Sequence, residues 1–413
     1  MTRMSNDSIR VICVIRGLLS CLLEMWVMLG MEARNLPFAC EDSSHLLRTM
    51  KPAAFFHQAE RWGVCAILRL LCVAALLCQV SVARAQVEEG VMDPQMQAVL
   101  DEFATLQPKR IETLSPAEAR EQPTITDAVN RLIHKERGNE VVPEKSTVSR
   151  ELLEVGNGRT LEARLYRPSG HGPFPVILFL HDGGWVLSDS QACEPAARAL
   201  CESVRAVVVS ADYRRAPEFK FPAAHDDALA AYRWVVEHAR AIEGDPSRLA
   251  IVGEGAGGNM AVAVCEMAAA WRLPQPQRLV LICPIVNCEC HNQSCFQNVR
   301  TQPLSAPMKL WFLTLYLNSP ADEVDPRISL LRAPLLEDLP PTTIVTAEFD
   351  PLRTEDEELA RGLREANVLV SYRNYAGVTH GFFGMSPVVE QAYEANAFVS
   401  AQLQESFLRP DTP

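Results

Sequence analysis

The apolar run Leu249-Ala250-Ile251-Val252 leads directly into Gly253-Glu254-Gly255-Ala256-Gly257-Gly258, and an Ala-rich helical pattern follows from Ala261 to Trp271. A buried strand, a turn with almost no side-chain bulk and a helix must succeed one another within a few residues. That is the context of a Gly-x-Ser-x-Gly elbow, which presents a serine nucleophile at a sharp strand-to-helix tip. Gly253 and Gly257 hold the flanking positions here, and the tip is Gly255. The scaffold is present without its nucleophile.

The surrounding chain sets that turn in a larger pattern. Residues 175–180, 206–210, 249–252, 279–283 and 343–347 read as strands buried on both faces, with 368–372 as the last strand. Helical patterns at 191–203, 224–240, 258–271, 355–365 and 388–407 alternate with them. Such alternation predicts an α/β fold with a mostly parallel central sheet covered by helices on both faces. Segments 151–155 and 160–166 flank Gly156-Asn157-Gly158 and read as a hairpin. Residues 92–137 are helical and broken by prolines, with Val99, Leu100, Phe103 and Leu106 at helical spacing, an appendage packed over a site. The stretch 287–334 interrupts the alternation. Its helix at 307–317 carries Met308, Trp311, Phe312 and Tyr316 and reads as an insertion over the C-terminal strand ends, where ligands bind in such sheets.

The first residues need separate handling. Arg61 and Arg69 precede the apolar run from Leu70 to Leu77, and Ala83-Arg84-Ala85 offers a small-x-small cleavage site before Gln86. This reads as a secretory signal peptide. Met50 is then the expected start, and the mature chain is expected from Gln86, periplasmic or secreted, with no stable membrane insertion after cleavage. A membrane helix at 11–31 is the rival reading, and Arg16 and Glu24 inside it weigh against it. The expected division is an N-terminal extension and signal peptide over 1–85, an N-terminal helical cap segment over 86–148, and a main domain over 149–413 with a cap insertion near 287–334. The formal net charge of −12 and the lack of clustered Lys and Arg argue against a nucleic-acid partner.

Six of the 13 cysteines lie before Gln86, which leaves seven and therefore at least one free thiol. Cys193 and Cys201 would lie about 12 Å apart along one helix, too far to pair. Cys288, Cys290, His291 and Cys295 could be a zinc set, or a disulfide and free thiols in a loop. Ligand pairs usually come as two spaced couples, so no metal and no cofactor is expected.

Three further segments carry chemistry. His181-Asp182-Gly183-Gly184-Trp185 follows the strand at 175–180, and its glycines let backbone N–H groups approach an oxyanion. Asp350 follows the strand at 343–347, in Asp350-Pro351-Leu352-Arg353, where it could instead cap the next helix. His380, in His380-Gly381-Phe382, follows the last strand. Elbow, then acid, then histidine is the chain order of α/β-hydrolases.

With these motifs in view, residues 92–408 resemble the hormone-sensitive-lipase family of bacterial carboxylesterases. The family pattern His-Gly-Gly-Gly matches His181 to Gly184, except that Asp182 stands where the family has its first glycine. Asp212-Tyr213-Arg214-Arg215-Ala216-Pro217-Glu218 with Phe221-Pro222-Ala223-Ala224 matches another hallmark. The resemblance implies an α/β-hydrolase fold with a helical cap, Asp350 as acid, His380 as base, and an oxyanion hole from Gly183, Gly184 and Ala256. It implies a small-molecule ester or acyl ligand. The family's serine falls on Gly255, and that role does not carry over. Asp212 and Glu218 are expected to brace the loop near the site, and Glu254 to point away from the tip.

Three functional readings follow. One is an esterase relative whose hydrolysis is weak or lost. Another is a non-catalytic binding protein for an ester or acyl ligand. The third places water in the space left by the serine side chain, activated by His380. With Asp350 and His380 retained, a serine restored at position 255 is expected to bring esterase activity back. The gain is limited by Asp182, which could displace the oxyanion loop or put a negative charge near it, and by a tip backbone that only glycine tolerates.

Overall fold

The computed structural model describes residues 90–138, 145–334 and 336–408. The signal peptide, its cleavage site, the expected start at Met50 and the rival membrane helix lie outside the described residues. Among the described residues no helix is long and apolar enough to cross a membrane.

The chain opens with helices α1 (Pro94–Thr105), α2 (Pro116–Arg120) and α3 (Ile125–Arg137). Prolines and caps divide them: Asp93 caps α1, and Ser115 and Thr124 form capping boxes with Glu118 and Asp127 at the starts of α2 and α3. Strands β1 (Ser146–Glu154) and β2 (Thr160–Pro168) follow as an antiparallel hairpin.

Then strand and helix alternate: β3 (Phe174–Leu180), α4 (Glu194–Val204), β4 (Val207–Ala211), α5 (Ala223–His238), β5 (Gly244–Glu254), α6 (Ala256–Ala270) and β6 (Arg278–Ile282). The expected insertion comes next, with α7 (Gln293–Gln297) and α8 (Ala306–Tyr316). The remainder is β7 (Thr342–Phe349), α9 (Arg353–Glu365), β8 (Val370–Thr379) and α10 (Glu390–Leu408). The strands form one sheet in the order β1-β2-β4-β3-β5-β6-β7-β8. β2 pairs antiparallel with β4, and every pair from β4 to β8 is parallel.

Successive side chains of a strand face opposite ways, so each central strand feeds two cores. Val176, Leu178, Leu180 and Ile251 pack with Ala224, Ala228 and Leu229 of α5 and Met260 and Val264 of α6. Ile177, Phe179, Ala250 and Val252 pack with Ala197 and Leu200 of α4 and Ala395 and Val399 of α10. That double burial is why these strands lack polar alternation.

The insertion is held to the main body by a buried ion pair. Lys309 of α8 lies 2.6 Å from Glu355 of α9, with both side chains fully buried. Lys309 also donates to the Glu289 carbonyl at 2.8 Å, and Glu355 accepts from the Val286 amide at 3.0 Å. The α2 segment is held by Arg120, which donates to the carbonyls of Val186 and Ala216 and pairs with Glu218 at 2.7 Å. Glu218 thus braces the loop, as does Asp212, which accepts from the Ser190 amide and hydroxyl at 2.6 and 2.8 Å.

Candidate active site

The C-terminal ends of β3, β5, β7 and β8 deliver the residues singled out in the sequence to one place. Gly255 stands between the end of β5 and the start of α6 with φ of 52°. In that left-handed region a side chain is strained and glycine is not. The tip is fixed from both sides: the Gly255 amide donates to the Ile282 carbonyl at 2.9 Å, and its own carbonyl accepts from Ile285 at 3.0 Å.

Asp350 lies just beyond β7 and is fully buried. One carboxylate oxygen accepts from the Leu352 amide at 2.8 Å, and the other lies 2.7 Å from His380 Nδ1. It therefore orients the histidine instead of capping α9, whose N-cap is Leu352. His380 directly follows β8, which runs on to Thr379 and ends at the site.

The feature the sequence left open is Asp182. Its Oδ2 lies 3.0 Å from His380 Nε2. Its Oδ1 accepts from the Ala256 amide at 3.0 Å and from the Gly184 amide at 3.5 Å. The N–H groups expected to form an oxyanion hole are thus turned on a carboxylate belonging to the chain itself. A Cβ on residue 255 would fall on that carboxylate. The expectation of water in the space left by a serine side chain is corrected here: Asp182 fills that space. The same overlap gives the expected limit on serine restoration its form, because a Cβ at residue 255 would meet the Asp182 carboxylate.

Both nitrogens of His380 face carboxylate oxygens, so both must donate, and the ring is an imidazolium. Burial alone would lower the His380 pKa, but the charge of Asp350 and hydrogen bonds to Asp182 and Asp350 carry it well above its ordinary value. For Asp182 burial also opposes the charge. Its bond to His380, the imidazolium charge and the Ala256 and Gly183 amides nevertheless bring its pKa down to about 2. The core of the site is a cation between two anions.

Glu254 corrects another expectation. It does not point away: it is buried and lines the same cavity as Asp182 and His380. Burial, reinforced by the Asp182 charge, lifts its pKa to about 7. The signal for both residues was in the sequence, as an acidic residue beside each glycine turn, but which way each points depends on backbone torsions.

The cavity over these groups has a volume of about 240 Å3. Its apolar walls come from the N-terminal helices (Phe103, Ile125), the loop after β3 (Leu187) and the insertion (Met308, Phe312). About a quarter of the Asp182 side chain remains open (26%), so the carboxylate is reachable from the cavity.

Metal-type donors come together at Cys283, Asp350 and His380, whose ligand atoms lie within 4.8 Å of one another. Two of the three are already bonded to each other, and burial holds the Cys283 thiol far above its ordinary pKa, in its protonated, poorly ligating form. In the loop considered for zinc, Cys290 and Cys295 form a disulfide, which removes two of the four candidate ligands. Cys193, Cys201, Cys265, Cys283 and Cys288 are free.

Comparison with known proteins agrees with this fold. Residues 177–384 match the model of a family described as having the alpha/beta hydrolase fold. The chain is 35% identical over 266 residues to an ethyl acetate hydrolase of Pseudomonas putida, covering 63% of this chain and 84% of that protein. It is 35% identical over 235 residues to the carboxylesterase NlhH of Mycobacterium tuberculosis, covering 56% of this chain and 74% of that one. The crystal structure of a thermostable esterase from Pseudomonas putida superimposes with a TM-score of 0.70 at 31% identity, over 78% of this chain and 99% of that one. Fold, topology and sequence agree: the chain belongs to the hormone-sensitive-lipase-like family of α/β-hydrolase-fold proteins and is related to carboxylesterases.

Proposed function

We propose that this protein takes a small to medium carboxylic ester or acyl compound into the cavity beside His380, and that serine-dependent hydrolysis of it is weak or lost. One observation carries the reading: Gly255, at the position where the family's nucleophilic serine falls, has no side chain, and the Asp182 carboxylate lies where that side chain would go. Removing the serine of such a triad costs about a millionfold in kcat, leaving roughly a thousandfold over water from binding and the oxyanion hole. Here even that remainder is reduced, because Asp182 Oδ1 already uses the Ala256 amide. The apolar walls and the ester-cleaving relatives support the ligand class.

The test is a serine-directed fluorophosphonate together with p-nitrophenyl acetate and butyrate turnover. No covalent label and kcat/KM close to background are expected. Stoichiometric labelling of any serine, with turnover typical of an esterase, overturns the reading.

A further inference from the structure

We propose that Asp182 is itself a nucleophile: its carboxylate displaces a halide or sulfonate from a saturated carbon, and the resulting ester is hydrolysed in the same site. The argument begins with what each oxygen of Asp182 faces. Oδ1 is held by the Ala256 and Gly184 amides, and Oδ2 lies against His380 Nε2 at 3.0 Å. The side chain is open to a cavity walled by Leu187, Met308 and Phe312, suited to an alkyl chain.

Attack on an ester carbonyl would need a new oxyanion to compete for the Ala256 and Gly184 amides, which Asp182 Oδ1 already holds. Displacement at a saturated carbon creates no oxyanion and needs no hole. Oδ2 attacks the carbon of R–X, the C–X bond breaks with its electron pair leaving on X⁻, and Asp182 becomes an alkyl ester. The oxyanion appears in the second step, when water attacks Cγ of that ester. It then develops on Oδ1, beside the Ala256 and Gly184 amides, the position where an oxyanion hole acts.

The histidine is arranged for the same sequence. While Asp182 is ionised, His380 sits between two carboxylates as an imidazolium. Alkylation removes one of those charges, so His380 loses its Nε2 proton to solvent and becomes a base, still oriented by Asp350. It accepts a proton from the attacking water. The tetrahedral intermediate collapses, the alcohol departs with the Nε2 proton, and the regenerated Asp182 carboxyl returns its own proton to His380. The net change is R–X plus water to R–OH, X⁻ and one proton. No cofactor or oxidant is required.

Bromohexane is a suitable probe with the protein as it exists. Bromide release is expected from the wild type and is expected to vanish in Asp182→Asn. After one turnover in heavy-oxygen water, peptide mass spectrometry should find one heavy oxygen in Asp182, with none in the hexanol. In His380→Gln the reaction should stop at a hexyl ester on Asp182. The proposal is overturned if folded wild type releases bromide no faster than Asp182→Asn. It is overturned equally if Asp182 takes up neither heavy oxygen in the wild type nor the hexyl group in His380→Gln. Aryl-ester turnover is a separate readout, so this proposal and the preceding one fail independently.

Discussion

The Asp182 carboxylate and a side chain on residue 255 compete for one volume: with glycine at 255, Asp182 Oδ1 reaches the Ala256 amide at 3.0 Å, and a Cβ there would fall on the carboxylate itself. The pair therefore has to be treated as one unit in any attempt to rebuild serine chemistry.

Gly255→Ser alone is expected to leave aryl-ester hydrolysis at the wild-type level. It should also destabilise the protein by about 1–3 kcal/mol, as Asp182 is forced off its hydrogen bonds. The double variant Asp182→Gly/Gly255→Ser frees the Gly184 and Ala256 amides and returns His380 Nε2 to the serine. It should gain roughly a thousandfold or more in kcat/KM. Assays with p-nitrophenyl butyrate and thermal melts check both, with the double variant carrying His380→Ala as control. A fully active single variant would show that Asp182 moves aside freely.

Glu254 should give stability a pH dependence of defined sign. Its pKa is raised from 4.5 to about 7 by burial and by the Asp182 charge. A carboxyl raised on folding contributes stability that is intact below its unfolded pKa and lost as pH rises through the folded one. Glu254→Gln should match the wild type near and below pH 4.5. It should become the more stable protein as pH climbs through about 7, by on the order of 3 kcal/mol at the limit. The difference in denaturant midpoint between the two proteins across pH measures this. A difference independent of pH would show that Glu254 does not titrate in that range.

Lys309→Met should be among the costlier single substitutions in the insertion. It strands Glu355, which is fully buried. Breaking such a pair from one side costs about 3–5 kcal/mol, whereas replacing both partners by apolar groups is often close to neutral. Lys309→Met/Glu355→Leu should therefore recover most of the loss, short of what the Val286 amide forfeits. Urea unfolding of the three proteins distinguishes this from simple loss of packing, which the second substitution would not repair.

Much of the architecture was legible because double burial writes a plain signal: residues 175–180 and 279–283 are apolar without alternation, and β3 and β6 coincide with them within a residue. β8 was placed too early and too short, at 368–372 against Val370–Thr379. Among the described residues it is the last strand of the sheet, and its exposed Arg373, Asn374 and Ala376 hide the strand pattern. The order of glycine turn, acid and histidine located Asp350 and His380 from strand ends alone. The role of Asp182 was not legible, because it depends on a contact across 74 positions of the chain, to the Ala256 amide. The sequence showed two departures from a pattern, and their relation appears only in space.

The shared volume at Asp182 and Gly255 also couples the two positions chemically. A side chain at the tip leaves no room for the carboxylate in its present place, so Asp182 holds its two amides only while residue 255 is bare. Removal of Asp182 alone leaves a protein with neither anion nor hydroxyl at the site. With Asp182 gone the Ala256 and Gly184 amides are free again, so that protein regains only the weak remainder that binding and an oxyanion hole supply without a nucleophile. Neither substitution alone assembles the serine chemistry, so the two positions must change together.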